Sequence, residues 1–101
     1  MKEPLELIAD ERQRQIDKYG YTDEHISAAD EDYANGQLSK AAAAYLLTQR
    51  FITDGSYLPV ILFPWDIDIY FKECPTDRIK ELVKAGAMIV AEIKRLQNRA
   101  K

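Results

Sequence analysis

A cation and an amide sit where the first segment of this chain is otherwise apolar. At about 100° per residue, Leu5, Ile8, Ala9, Ile16 and Tyr19 share one helical face. Arg12 falls in the middle of that face, with Glu11 and Gln15 at its edge. A guanidinium in such a place is costly unless it is paired. Two arrangements satisfy it. One is an internal ion pair with a carboxylate of the acidic 23–32 segment, the arginine stem packing on the core. The other is a pocket in which Arg12 grips a phosphate or carboxylate through two parallel N–H bonds.

Other residues bear chemistry more weakly. His25 stands among Asp23, Glu24 and Asp30 and has the makings of a metal ligand or a base, but one histidine with loosely spaced acids has no diagnostic ligand pattern. Tyr57, Phe63, Trp65, Tyr70 and Phe71 crowd the middle of the chain. Such rings ordinarily close a core, and they also make stacking walls for a base or docking patches for a partner. Trp65 is the one expected to face a ligand. Cys74 lies between Glu73 and Pro75, and acidic neighbours disfavour a thiolate nucleophile. Lys84 falls opposite the apolar stripe of the last helical segment, where a lysine is ordinarily solvated. It meets a phosphate only if another chain or loop packs over it. Gly36 and Gly86 belong to no phosphate-loop pattern.

Helices must position these side chains. Pro4 suits a first helical turn and Gly20 a stop, giving a helix over 4–19. Ser27 and Asp30 resemble a capping box, so a short helix is expected near 28–34. Asn35-Gly36 is a turn, and the run Ala41–Ala44 favours a helix over 37–52. Its side chains are apolar nearly all round, which places it at the centre of a bundle or at a subunit interface. Pro59, Pro64 and Pro75 interrupt residues 57–75, where a short helix beginning at Trp65 is favoured over a strand at 66–69. A last helix over 76–98 starts at Thr76 and carries a wide stripe of Ile79, Leu82, Val83, Gly86, Ile89, Val90, Ile93 and Leu96.

Composition bounds what such a bundle does. The 101 residues fit one helical domain, 1–101. With 47% hydrophobic and 31% charged residues the chain is globular rather than disordered. A net charge of −3 argues against duplex nucleic acid as a partner, since phosphate backbones call for a dense basic surface. One cysteine cannot form an internal disulfide, and Met1-Lys2-Glu3-Pro4 lacks the apolar stretch of a signal peptide. A cytoplasmic location without membrane insertion is therefore expected.

Several of these segments together resemble a known family. Glu11-Arg12-Gln13-Arg14-Gln15, Gly20-Tyr21-Thr22, Glu24-His25, Gly36-Gln37-Leu38 and Pro64-Trp65 look like a family of small proteins of tailed phages and prophages. So does the run from Leu82-Val83-Lys84-Ala85-Gly86-Ala87 through Ala91-Glu92-Ile93 to Arg95-Leu96. The likeness covers nearly the whole chain and implies a phage or prophage origin inside a bacterial host. Where that pattern continues His-Asp-Asp, this chain has His25-Ile26-Ser27, which removes ligands a metal would need.

A more distant likeness is to the all-helical nucleotide pyrophosphohydrolases of the MazG type. The order of an Arg/Gln helix, a glycine turn, an alanine-rich helix and a long final helix is similar. Those enzymes hold magnesium with an ExxE and a later ExxD pair. Here Glu3 and Glu6 have the first spacing at the extreme N-terminus, and no ExxD follows.

The expectation is an all-α domain of three main helices, packed as a homo-oligomer through the 37–52 helix. It binds an anionic, nucleotide-like small molecule through Glu11, Arg12, Gln15, His25 and Lys84, with Trp65 stacking. It carries no metal or cofactor; magnesium enters only if the chain hydrolyses nucleotides as MazG enzymes do. The competing expectation is a modulator of a host protein, using the aromatic segment or the acidic 23–32 face.

Overall fold

A computed structural model describes residues 2–28, 33–34, 36–47, 62–65, 74 and 76–99. Among them the chain is all-helical: α1 Pro4–Tyr19, α2 Asp23–Ala28, α3 Gln37–Leu46 and α4 Arg78–Arg99. The long helix α4 is the hub, and α1, α2 and α3 each pack against it. None of these helices is long and apolar enough to cross a membrane.

The ends follow local chemistry. Pro4 occupies the first turn of α1, and Gly20, at φ 72°, closes it by donating its N–H to the Ile16 carbonyl at 2.9 Å. Gly36, at φ 80°, turns the chain into α3. A short helix, α2, precedes the one expected near 28–34, of which residues 29–32 lie outside the described ones. Thr22 Oγ1 accepts the His25 N–H at 3.1 Å and so caps α2, with Asp23 and Glu24 in the first turn. At α4 the capping side chain is Asp77, whose carboxylate accepts the Lys80 N–H at 3.0 Å, rather than Thr76. The helix expected over 37–52 runs to Leu46, and residues 48–52 lie outside the described ones, as does most of 57–75.

Alanines let α3 and α4 approach closely. Ala41, Ala42 and Ala44 of α3 meet Ala85 of α4, with Tyr45 and Phe63 completing the cluster. A second cluster joins Ile26 of α2, Leu38 of α3 and Ala91 of α4. Thus α3 buries its apolar face within its own chain, and residues 37–46 need no second subunit to cover them.

The inward face of α4 reverses the sequence expectation. Its apolar stripe is the exposed side: Ile79, Leu82, Ile89, Val90, Ile93 and Leu96 are each between 43% and 61% exposed. The buried side carries Glu81, Lys84 and Arg95 among the small residues Ala85, Ala87 and Ala91. Lys84 is therefore a buried lysine and not a solvated one. α1 does the same, burying Glu11, Arg12 and Gln15 while Leu5 stands out in solvent.

Candidate ligand pocket

The two polar faces meet over a cavity of about 460 Å³. α1 supplies Glu11 and Gln15, α3 Tyr45, and α4 Lys84 and Met88, while Tyr33, Phe63 and Trp65 come from the connections. Ala91 lines the cavity where a larger residue would take up the room.

The walls are rings set edge to face. Trp65 meets Tyr33 at 6.1 Å and Phe63 at 5.7 Å between centroids, and Phe63 meets Tyr45 at 6.5 Å, with interplanar angles of 74°, 80° and 89°. Each ring in such a chain fixes the next. At one end Tyr19 and Tyr21 stack at 5.4 Å, and Tyr21 stacks in turn on His25 at 6.3 Å.

The polar groups gather on the α1 and α4 side. Arg14 grips Glu11 with two bonds, Nε to Oε1 at 2.7 Å and Nη2 to Oε2 at 2.8 Å. Gln15 Nε2 reaches the same carboxylate at 3.4 Å. The Lys84 ammonium lies 5.5 Å from the centroid of the Tyr45 ring. Burial pushes the Glu11 carboxyl up. The Arg14 hydrogen bonds and charge, the Lys84 charge and the Gln15 amide outweigh it, and the net shift is downward. Glu11 is thus a carboxylate that orders the two cations and the amide around the cavity. Among the described lining residues, Arg14 and Lys84 are the cations and Glu11 the carboxylate.

The sign of that shift sets an expected pH dependence. A carboxyl held below its ordinary 4.5 contributes stability that is present above pH 4.5 and lost as pH falls through the lower folded value. Melting the protein between pH 7 and pH 3 is expected to show a smaller acid-induced drop in Glu11→Gln than in the parent, with the variant already less stable at pH 7. An identical acid drop in both would mean that Glu11 carries none of it.

Of the side chains singled out in the sequence, Glu11, Gln15, Trp65 and Lys84 come together at the cavity. Arg12 and His25 do not line it. Arg12 pairs instead with Asp23, Nη2 to Oδ1 at 3.1 Å, its side chain 9% exposed. This ties α1 to the start of α2 and is the internal ion pair weighed for it above. The exposed His25 continues the Tyr19–Tyr21 stack. Asp30 and the rest of the acidic run lie outside the described residues, as do Tyr57, Tyr70 and Phe71. Among the described residues no three His, Cys, Asp or Glu side chains are grouped to hold a metal ion, and Glu3 and Glu6 are both exposed.

Sequence reasoning missed Arg14, Tyr21, Tyr33 and Tyr45 as pocket residues. Tyr45 had a usable signal, a large polar-tipped ring beside alanines too small to pack against it fully. No family model matches the chain, and no curated protein and no solved structure matches it.

Proposed function

We propose that this chain is a phage- or prophage-type accessory protein that, as a homo-oligomer, holds an anionic, nucleotide-like small molecule in the cavity between α1, α3 and α4. The observation that carries this reading is the pairing of an aromatic wall with buried polar side chains in one cavity of about 460 Å³. Pockets for small cofactors have this composition, mostly apolar with a few placed polar groups. Tyr45, Phe63 and Trp65 take a planar ring, Lys84 takes negative charge, and Gln15 offers an amide to a ring edge. In an infected cell, such a protein sequesters a host signalling nucleotide or adjusts a nucleotide pool.

The competing reading is a modulator of a host protein working through the aromatic segment. Burial of Phe63 and partial burial of Trp65 around the cavity favour the ligand reading over it. Nucleotide hydrolysis of the MazG kind has no such support, given the lack of a grouped acidic site among the described residues.

Native mass spectrometry of gently purified protein is the first test, followed by titration with nucleoside mono-, di- and triphosphates and cyclic nucleotides. Trp65 is the only tryptophan, so its fluorescence reports the pocket directly. A retained mass, or saturable quenching by at least one phosphate-bearing nucleotide, is expected. Silence of both signals across the panel would sink the reading. Pyrophosphate release with magnesium in the same panel would replace binding by hydrolysis.

A further inference from the structure

Two acceptors of the cavity stand side by side. Glu11 and Gln15 are one helical turn apart on α1, both line the cavity, and they are 9% and 8% exposed. Their hydrogen bonds fix what each presents. Arg14 donates to both carboxylate oxygens of Glu11, at 2.7 and 2.8 Å, and Gln15 Nε2 donates to Oε2 at 3.4 Å. A carboxylate accepts about four hydrogen bonds, so these donors leave Glu11 room for one more. The amide of Gln15 has to turn its nitrogen to the carboxylate, because its oxygen there would meet negative charge. Its Oε1 is therefore directed away from Glu11, and no described residue donates to it. A buried acceptor left unpaired is costly, and a ligand that donates to it removes that cost.

Arg14 completes the set on the other side of Glu11. Its Nε and Nη2 are taken by Glu11, leaving the N–H groups of Nη1, with the Tyr19 ring centroid 5.8 Å from Cζ. Arg14, Glu11 and Gln15 thus make a chain whose order is donor, acceptor, acceptor. Glu11 keeps its part at neutral pH, since its carboxyl is held below the ordinary range.

Bases differ in how their Watson–Crick edges answer that order. Guanine carries an acceptor at O6 and then donors at N1 and N2, the complement at all three positions. Adenine sets its N6 donor against the arginine and its N1 acceptor against the carboxylate. Cytosine mismatches throughout, and uracil sets a carbonyl against the amide oxygen. Stacking on the rings tolerates every base, so the polar edge makes the choice.

We propose that Arg14, Glu11 and Gln15 read the edge of a guanine, so that the ligand is a guanine nucleotide. Arg14 donates to O6, Glu11 accepts from N1–H and Gln15 accepts from the N2 amine. This rests on the cavity being a nucleotide site and names its base.

Trp65 fluorescence titrations with guanosine, inosine and adenosine monophosphates test it on the parent protein. Guanosine monophosphate is expected to bind tightest. Inosine lacks only the N2 amine, and its nucleotide is expected to bind about 10-fold more weakly. Adenosine monophosphate is expected to bind about 100-fold more weakly or worse, with its N1 lone pair facing a carboxylate. Gln15→Met keeps the length of the side chain and removes the acceptor. It is expected to weaken guanosine monophosphate about 10-fold and to leave inosine monophosphate within about 2-fold, because the lost partner is the one inosine does not use. The analogue series needs no variant, so it decides even where Gln15→Met fails to fold. Guanosine monophosphate binding no more tightly than adenosine monophosphate overturns the proposal, and saturable binding of either keeps the cavity as a nucleotide site. Equal losses for the guanosine and inosine nucleotides in Gln15→Met overturn the assignment of the amine to Gln15. Silence with every nucleotide overturns the nucleotide site and its base together.

Discussion

Arg78→Met is expected to cost about 3 kcal/mol of stability or more, the usual penalty for removing one partner of a buried charge pair. Arg78 opens α4, where a positive side chain sits poorly with the helix dipole. It is held there by what it reaches. Its Nη1 donates to the Tyr45 carbonyl at 3.2 Å and its Nη2 to the Leu46 carbonyl at 3.0 Å, closing the open C-terminal end of α3. The same guanidinium lies 3.4 Å from Oε1 of Glu81, which is fully buried. Deleting the cation uncovers two carbonyls and leaves a buried carboxylate without its arginine. For a chain of this size each kcal/mol moves the melting temperature by roughly 4–8 °C, so the drop is easily read in a thermal melt. The double variant Arg78→Met/Glu81→Leu is expected to recover much of the loss, since replacing both charges by apolar groups removes the stranded carboxylate. A single-variant loss below about 1 kcal/mol would place the pair among the exposed ion pairs that contribute little.

That pair marks where the sequence was readable and where it was not. Boundaries set by local chemistry were legible. Pro4 and Gly20 delimit α1, Gly36 precedes α3, and the basic residues through Arg99 end α4. The direction in which α4 faces was not. Amphipathicity separates two faces of a helix, and burial of the apolar one is an assumption about what lies opposite. Here the opposite partners supply what a polar face needs. Two backbone carbonyls of α3 receive Arg78, while Arg95 is met within α4 by Glu92. The apolar face of α4 stays exposed in a single chain.

The pocket was half legible for a related reason. Glu11 and Gln15 drew notice as polar groups on the edge of an apolar face, and both reach the cavity. Arg12, the more conspicuous anomaly, pairs through Nη2 with Asp23, a carboxylate eleven residues along the chain, while its buried Nη1 has no hydrogen-bond partner. Nothing in local spacing distinguishes a guanidinium that meets its own chain from one that awaits a ligand. Only the turn at Gly20 and the Thr22 cap, which set Asp23 beside Arg12, decide it. Tyr33 reaches the cavity from the connection between α2 and α3, a long-range fact with no short-range signature.

The second large effect is expected at Lys84, and its test separates a binding residue from a structural one. An ammonium kept 7% exposed is costly to hold inside a protein. It lies against the Tyr45 ring and within the field of Glu11. If its place in the fold is to meet an anion, Lys84→Met keeps the length and packing of the stem while removing the charge. The fold is then expected to be retained, with a melting temperature close to that of the parent. Hydrogen bonds to a charged group are worth about 1.5–3 kcal/mol, which corresponds to roughly 10-fold to 150-fold in Kd. That weakening is expected for nucleotides and not for the matching nucleosides, which lack a phosphate and rely on the rings alone. Trp65→Ala is expected to weaken both alike, because stacking does not distinguish them. The crossed pattern is the decisive readout. Equal losses for nucleotide and nucleoside in Lys84→Met would make the lysine a support for Glu11 and Tyr45 rather than the group that receives the phosphate. An unchanged affinity for both would remove Lys84 from the site.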